Sequence, residues 1–394
     1  MRARRGIFAG VAAFAAALAL GVATAGPAFA GEWLAGDLHV HTTYSHDSFG
    51  GPGDDNTGPE EAFTLGHSVA SQFAVAESRG LDFLAITDHN DVRSQSDPGW
   101  PGPDDGVIGV PAYENSLDGH AQMLGATRLV GSGSSAPAVQ AAADELRAPP
   151  LDGVFQINHP AEGATGAELD WKLGHEVVPD TVEVWNISRL YQPPLPSASD
   201  NDTAIRFWEG FLDAGERVAV TGGSDNHYVA TTPIQGAGQP TTWVYAEERT
   251  AAGVLAGLRR GHTFVSHQPP NLGGPRLFLE ADADRDGRFE SMAGDAAPRS
   301  GAFRVRVEGA PGAKLRLVGA GGRQIGSEST VGAGRYKRGF TVPAWATWVR
   351  AELNVGDGRA AREAACDELF GSSTTYCRNT VGALALTSAI FVQR

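Results

Sequence analysis

The sequence predicts an α/β domain, built as a mainly parallel sheet or a barrel, followed by an all-β, sandwich-like domain. Three observations predict it. Up to about residue 270, apolar runs alternate with stretches of helical spacing, as expected for strands joined by crossover helices. Beyond it, short runs alternate apolar and polar residues between Gly or Pro breaks, the pattern of an antiparallel sandwich. Several of the early runs also end in His, Asp or Glu, so the strand ends carry the chemistry.

The first thirty residues stand outside this fold. Arg2, Arg4 and Arg5 precede an apolar run rich in Ala and Gly, and "AFA" closes it before "GEW". A basic start, an apolar centre and an A-x-A site predict a secretory signal peptide cut after Ala30. The mature chain is then expected to be secreted or extracytoplasmic, with no membrane span after cleavage. Removal of three Arg and no acid moves the formal charge from −15 to −18. Such a surface argues against nucleic acid as a partner, because phosphate backbones need a cationic one. Lys172, Lys314 and Lys337 are the only lysines, so positive charge at an anion site must come from Arg or from metal. Cys366 and Cys377 are the only cysteines. In an exported chain they are expected to form a disulfide closing a short loop, which contributes roughly 3 kcal/mol in the loop-entropy model.

The strand-like runs of residues 31–270 are "EWLAGDLHVHT", "LDFLAITDH", "GVIGVPAYE", "GVFQINHP", "DTVEVWN", "RVAVTGGSD" and "TTWVYAE". Helical spacing is found over residues 58–80, 136–148, 202–216 and 247–261. The first of these opens with Pro59 and two Glu and closes on Gly80, which are start and stop signals. Residues 271–394 contain "PRLFLEA", "AFRVRVEGA", "AKLRLVGA", "RYKRGFTVP", "TWVRAELNV" and "LALTSAIFVQ". "ADADRDGRF" supplies Asp282, Asp284, Asp286 and Gly287, half of a calcium loop, but Ala293 stands where an EF-hand needs an acid. A solvated acidic turn is the expectation there, with calcium left open if Glu290 or Asp295 completes the set.

Possible ligands follow one strand after another. His39 and His41 are two apart on a strand and share a face. Asp88 and His89 end the second run. Glu114 ends the third, with His120 six residues on. His159 follows the fourth run, and Asp225 and His227 follow a later one. In an α/β barrel the C-terminal strand ends converge on one mouth, so these residues would meet. Buried imidazoles and carboxylates there would cost several kcal/mol without metal or mutual pairing. A metal site is therefore expected.

"DLHVHTTYSHD", "AITDHND", "INHP" and "SDNH", in that order, resemble the motifs of the PHP (polymerase and histidinol phosphatase) metallohydrolase superfamily. "GH" after "YE" and the ending "ALTSAIFV" resemble its CehA/McbA-type exported branch. The resemblance implies a distorted (β/α)7 TIM-like barrel holding two or three divalent metals. It would place His39, His41, Glu114 and Asp225 on one metal, and Glu114, His120 and His159 on a second. His89, His227 and the acid closing the first motif would hold a third. Many relatives read "SDG" where this chain reads "SHDS"; Asp47 is the favoured ligand, and His46 fits the shorter spacing.

Mixed imidazole and carboxylate ligands suit Zn, Mn or Fe. A bound metal lowers the pKa of water from 15.7 to about 7, giving a hydroxide nucleophile. The expected activity is thus a metal-dependent hydrolase, with phosphoesters the default. A carbamate, an amide or another ester is the alternative, and a non-catalytic metal-containing surface-binding protein the second. The substrate is expected to be a small, anionic ester. Asp88, His89 and Asp225 are the candidate catalytic residues, Asp88 acting through a neighbouring ligand or as a proton shuttle. Arg93, Trp185 and Asn186 are candidate substrate contacts; Arg128 and Arg189 are better suited to the surface. His67, His175, His262 and His267 fall outside the motifs and are not expected to be ligands. The C-terminal domain could dock a cell-surface polymer or cover a barrel face.

Overall fold

The computed structural model describes residues 31–46, 67–102, 105–117, 119–131, 133–161, 171–186, 201–227, 236–356 and 382–393. The expected signal peptide, Asp47, Arg189, Cys366 and Cys377 lie outside these residues. The fold is a mixed α/β arrangement of several sheets. Its first half comprises β1 (Glu32–Val40), α1 (Val69–Ser78), β2 (Phe83–Ile86), β3 (Ile108–Pro111), β4 (Glu114–Leu117), β5 (Gly119–Leu124), α2 (Ala136–Arg147) and β6 (Val154–Ile157). It continues with β7 (Thr181–Asn186), α3 (Asn201–Ala214), β8 (Ala219–Gly223), β9 (Thr241–Ala246), α4 (Ala251–Arg260) and β10 (Thr263–Ser266).

Strands β1, β2 and β3 pair in parallel, and β6, β7 and β8 do the same in a second sheet. Two single parallel bridges, Val40 with Asn226 and His89 with Glu114, join these sheets at the strand ends. They bring the carboxyl ends of β1, β2 and β8 and the start of β4 to one place. A regular (β/α)7 barrel is not what the described residues form. They contain four α-helices, and β4, β5 and β6 pair antiparallel. An antiparallel pair can follow a short turn, whereas a parallel pair needs a crossover; no crossover helix separates β4 from β5.

The helices follow local chemistry. Ser68 caps α1, its hydroxyl accepting the Ser71 N–H, so within the described residues this helix starts later than Pro59 would suggest. Thr250 caps α4 in the same way, and Gly261 ends it with φ 72°, a conformation that suits glycine. Helix α3 buries Phe207, Trp208, Phe211 and Leu212, the stripe expected of a helix covering a sheet.

The second half comprises β11 (Arg276–Asp282), β12 (Ser291–Met292), β13 (Ala296–Pro298), β14 (Ala302–Glu308), β15 (Lys314–Gly319), β16 (Arg323–Gln324) and β17 (Ser329–Thr330). It ends with β18 (Tyr336–Phe340), β19 (Trp348–Asn354), β20 (Ala383–Thr387) and β21 (Ile390–Gln393). Strand β14 alternates strictly between buried and half-buried residues, as the period-two pattern anticipates. Leu277, Leu279, Val305 and Val307 of one antiparallel sheet share a core with Leu315, Leu317, Val349 and Leu353, giving two packed layers. The second layer is shared: β20 pairs with β10, so one sheet of twelve strands runs from β3 through β1, β9 and β10 into the C-terminal layer. Among the described residues, no helix is long and apolar enough to cross a membrane.

Candidate metal centre

Strand β1 is buried along its length from Leu34, and the pleat sends alternate side chains to one face. His39 and His41 therefore emerge together, both fully buried, with Nε2 atoms 3.1 Å apart. Asp225, just past β8, places Oδ1 3.3 Å from His39 Nε2 and 3.0 Å from His41 Nε2. Glu114, at the start of β4, brings Oε2 to 3.2 and 3.3 Å from the same two nitrogens. These four donor atoms lie within 4.8 Å of one another.

Glu114 serves two groups. Its Oε2 also faces His89 Nδ1 at 3.2 Å. Its Oε1 faces His120 Nδ1 at 3.2 Å and His159 Nε2 at 3.4 Å, and accepts a 2.7 Å hydrogen bond from Asn158 Nδ2. Further groups able to share an ion are His41, His89 and His227, and His89, Glu114 and His120. The His41 and His227 rings stack at 4.0 Å. His159 and Asp225 hold positive φ, 21° and 49°, sparsely populated conformations that cost of order 1–3 kcal/mol each and cluster at functional sites.

The donor set fits divalent cations. Ligand bonds of about 2.1 Å place neighbouring donor atoms roughly 3.0–3.5 Å apart, the separations found here. Glu114 Oε2 is buried and makes no hydrogen bond, although three imidazole nitrogens lie beside it. Its geometry suits a shared cation better than a set of N–H donors.

The electrostatics agree. Burial alone would pull the His39 imidazole down, but Glu114, Asp225 and Glu183 outweigh it and hold it well above its usual range. His41 is likewise pushed up to about 10 against burial, by the Asp225 and Glu114 carboxylates beside it. For Glu114 and Asp225 burial opposes ionisation, yet the surrounding imidazoles hold both carboxyls well below the carboxylate range. The balance of buried carboxylates and imidazoles favours positive charge in the site, as protons or as cations.

Of the residues singled out in the sequence, His39, His41, His89, Glu114, His120, His159, Asp225 and His227 come together. His46 lies beside them, its ring 4.8 Å from that of His89. Asp88 is fully buried and its carboxylate is turned to Thr42, accepting from the backbone N–H at 2.6 Å and from the hydroxyl at 2.9 Å. Burial pushes its pKa up to about 6. Arg93 is exposed and paired with Asp91, and Arg128 with Glu145. Asn186 reaches the centre, donating to Asp225 Oδ2 at 3.2 Å. Trp185 packs instead into the core beside Val184. The pleat explains the split, since successive strand residues face opposite ways, and a bulge between Glu183 and Trp185 brings Asn186 to the side of Glu183.

His175 is bonded to the Phe207 carbonyl and His262 to Asp295. Among the described residues, neither they, His67 nor His267 join the groups able to share an ion. Asp282, Asp284 and Glu290 draw together, but Asp282 caps the Asp286 and Gly287 amides and Glu290 accepts from Ala283, as an acidic turn does.

Sequence reasoning missed Glu183, Ser45 and Ser116. Glu183 is fully buried, with Oε1 3.0 Å from His39 Nδ1. Ser45 Oγ lies 3.0 Å from His41 Nδ1, and Ser116 Oγ 2.6 Å from His89 Nδ1. The signal for Glu183 was a carboxylate in the middle of an apolar strand, "TVEVW", where an unpaired charge would not be tolerated.

Fold and site together define a mixed α/β protein with a buried centre suited to divalent cations. A family model described as "Protein of unknown function (DUF3604)" matches residues 29–96, a span that takes in His39, His41, Asp88 and His89. No curated protein matches the chain. A solved structure from Bacteroides vulgatus ATCC 8482 is described as a two-domain protein containing a predicted PHP-like metal-dependent phosphoesterase. It is 15% identical, with a TM-score of 0.41, over 83% of this chain and 92% of that one. The functional reading rests on the side chains.

Proposed function

We propose that the chain is a metal-dependent hydrolase of the PHP type, acting on a small anionic ester, with phosphoesters the first choice. One observation carries the reading: His39, His41, Glu114 and Asp225 direct four donor atoms into a single space, all four residues buried. Imidazole with carboxylate suits Zn, Mn or Fe. Divalent cations held there would supply Lewis acidity, neutralise a substrate anion and lower the pKa of coordinated water.

The chain's own residues set up that chemistry. Glu114 offers one oxygen to the His39–His41 side and the other to His120 and His159, so it can bridge two cations. Asn158 fixes the second of these oxygens, the one facing His120 and His159, and Asn186 steadies Asp225. Ser45 and Ser116 address the Nδ1 atoms of His41 and His89, setting ring orientation. Asp88 holds the turn after β1 through Thr42. In this proposal residues 1–30 are an export signal, residues 31–270 carry the centre and residues 271–394 form the sandwich-like domain with the Cys366–Cys377 disulfide.

The test is metal analysis of the purified mature chain joined to a substrate panel. Bound Zn, Mn or Fe with turnover of a chromogenic phosphomonoester or phosphodiester supports the proposal. Turnover confined to aryl carbamates, amides or carboxylic esters would move the assignment to the CehA/McbA-type chemistry at the same centre. Stoichiometric cations with no turnover across the panel would leave a metal-containing binding protein.

A further inference from the structure

We infer that Glu183 is the residue that positions the centre's first ligand, by accepting the Nδ1–H hydrogen bond of His39 so that Nε2 is presented to the cation. The inference rests on the hydrolase reading above. Its geometry is independent of the expected ligand set. Glu183 sits inside β7, fully buried, with Oε1 3.0 Å from His39 Nδ1. The other face of the His39 ring carries Nε2, which lies 3.2 Å from Glu114 Oε2 and 3.3 Å from Asp225 Oδ1. A neutral imidazole holds one N–H, and its partner decides which nitrogen keeps the lone pair. A carboxylate on Nδ1 leaves Nε2 as the donor to a cation and raises its basicity.

The second carboxylate oxygen ties in two more parts of the site. Glu183 Oε2 accepts the backbone N–H of His159 at 3.0 Å and a bond from Asn186 Nδ2 at 3.3 Å. Asn186 in turn holds Asp225. One buried carboxylate thus links the ligand on β1, the backbone of the ligand after β6 and, through Asn186, the ligand after β8. The bulge in β7 lets Glu183 and Asn186 serve one site. Strand β8 is shaped to admit the pair: a Cβ on Gly223 would overlap both Glu183 Oε1 and His39 Cβ. The second glycine of "TGGSD" is therefore the space in which His39 and Glu183 meet.

Glu183 also stands with His39 and His159 as a group that could itself share an ion, and the experiment separates the two roles. Co2+ alone is titrated into metal-free wild type and Glu183→Gln, read by calorimetry and by visible absorption, with circular dichroism and Tm as folding controls. Glutamine keeps the volume and an acceptor for His39, but its amide must face the His159 N–H or turn away from His39. The expected result is unchanged Co2+ stoichiometry, affinity weakened about 10–100-fold and altered visible bands in a folded protein. Gly223→Ala should weaken binding in the same sense by wedging the pair apart. Equal affinity and spectrum in wild type and Glu183→Gln would overturn the inference, as would loss of one Co2+ per chain, which makes Glu183 a ligand. A wild type that binds no Co2+ would sink the hydrolase reading itself, a distinct failure visible before any variant is made.

Discussion

The Nε2 atoms of His39 and His41 face each other at 3.1 Å in a fully buried site, with Asp225 Oδ1 and Glu114 Oε2 alongside. Two imidazole nitrogens that close can share one proton between them or donate together to a cation. Their partners on the far side decide for the second arrangement, since Glu183 and Ser45 occupy the Nδ1 positions. His39→Ala and Asp225→Ala should each remove a donor from this set. The expected outcome is at least one cation fewer per folded chain and activity below about one percent, the loss of roughly 3 kcal/mol or more in transition-state stabilisation. Metal analysis and steady-state kinetics on the same preparations check it. Full turnover in either folded variant would end the assignment.

Cation uptake should release protons. His41 is held up to about 10 and His39 well above its usual range, so the surrounding carboxylates favour a protonated imidazole in the metal-free chain, whereas a ligand must be neutral. The sign for folding follows. Raised imidazoles contribute stability that is complete below their unfolded pKa of about 6.5 and is lost as pH climbs through the folded value, about 10 for His41. The depressed carboxyls of Glu114 and Asp225 contribute above their unfolded pKa of about 4, and that part is lost as pH falls through the folded values. Metal-free protein should hold its stability across neutral pH, while cation affinity rises with pH, about tenfold per unit for each proton displaced. Calorimetry in two buffers of different ionisation enthalpy counts the protons. Affinity that stays flat from about pH 6 to pH 9 would contradict this.

Asp88 offers a sharper choice. Its carboxylate accepts twice from Thr42, the residue after His41, so its action on the centre runs through the backbone. Asp88→Asn keeps an acceptor for the Thr42 N–H and should retain most of the cation affinity and at least a tenth of kcat. Asp88→Ala leaves that buried N–H without its acceptor, which costs about 1–3 kcal/mol, and should lower Tm and cation affinity together. Should Asp88→Asn instead lose activity about a hundredfold or more with affinity intact, Asp88 is a proton carrier and the backbone role is secondary.

The part of the site legible in the sequence was the part written in local periodicity. His39 and His41 share a face because a strand repeats every two residues, and apolar runs announce where strands end. Glu183 was hidden because its partners, His39 and the His159 amide, are fixed by tertiary contacts no short window contains. Trp185 and Asn186 were grouped because they are neighbours, and the alternation of a strand sends them to opposite faces. The antiparallel β4–β5 pair went unread, since a run ending in Glu114 gives no hint that a short turn and a second strand follow. The pairing of β10 with β20 joins segments more than a hundred residues apart. The change of pattern near residue 270 therefore marks a change of architecture, while the hydrogen-bonded sheet continues across it.

That continuity gives the last prediction. Arg350 on β19 is 2% exposed, yet it carries a full charge between Glu209 of α3, at 2.7 Å, and Glu352, at 2.5 Å. Burial would pull its pKa down, and the two carboxylates hold it up. Glu352 is also met by Arg316, so a chain of alternating charges joins a helix of the first half to the C-terminal sheet. Removing one member of such a network is worse than removing all of them, because the partner charges stay buried without compensation. Arg350→Met should destabilise the fold by about 3–5 kcal/mol. The triple variant with Glu209→Gln and Glu352→Gln should recover much of that loss, since it leaves neither carboxylate unpaired. Chemical denaturation of metal-free protein measures both. Cation stoichiometry should stay at the wild-type value in every folded variant, because the network touches no ligand. An unchanged denaturation midpoint in Arg350→Met would show that the two halves are held by the shared sheet and its apolar core alone.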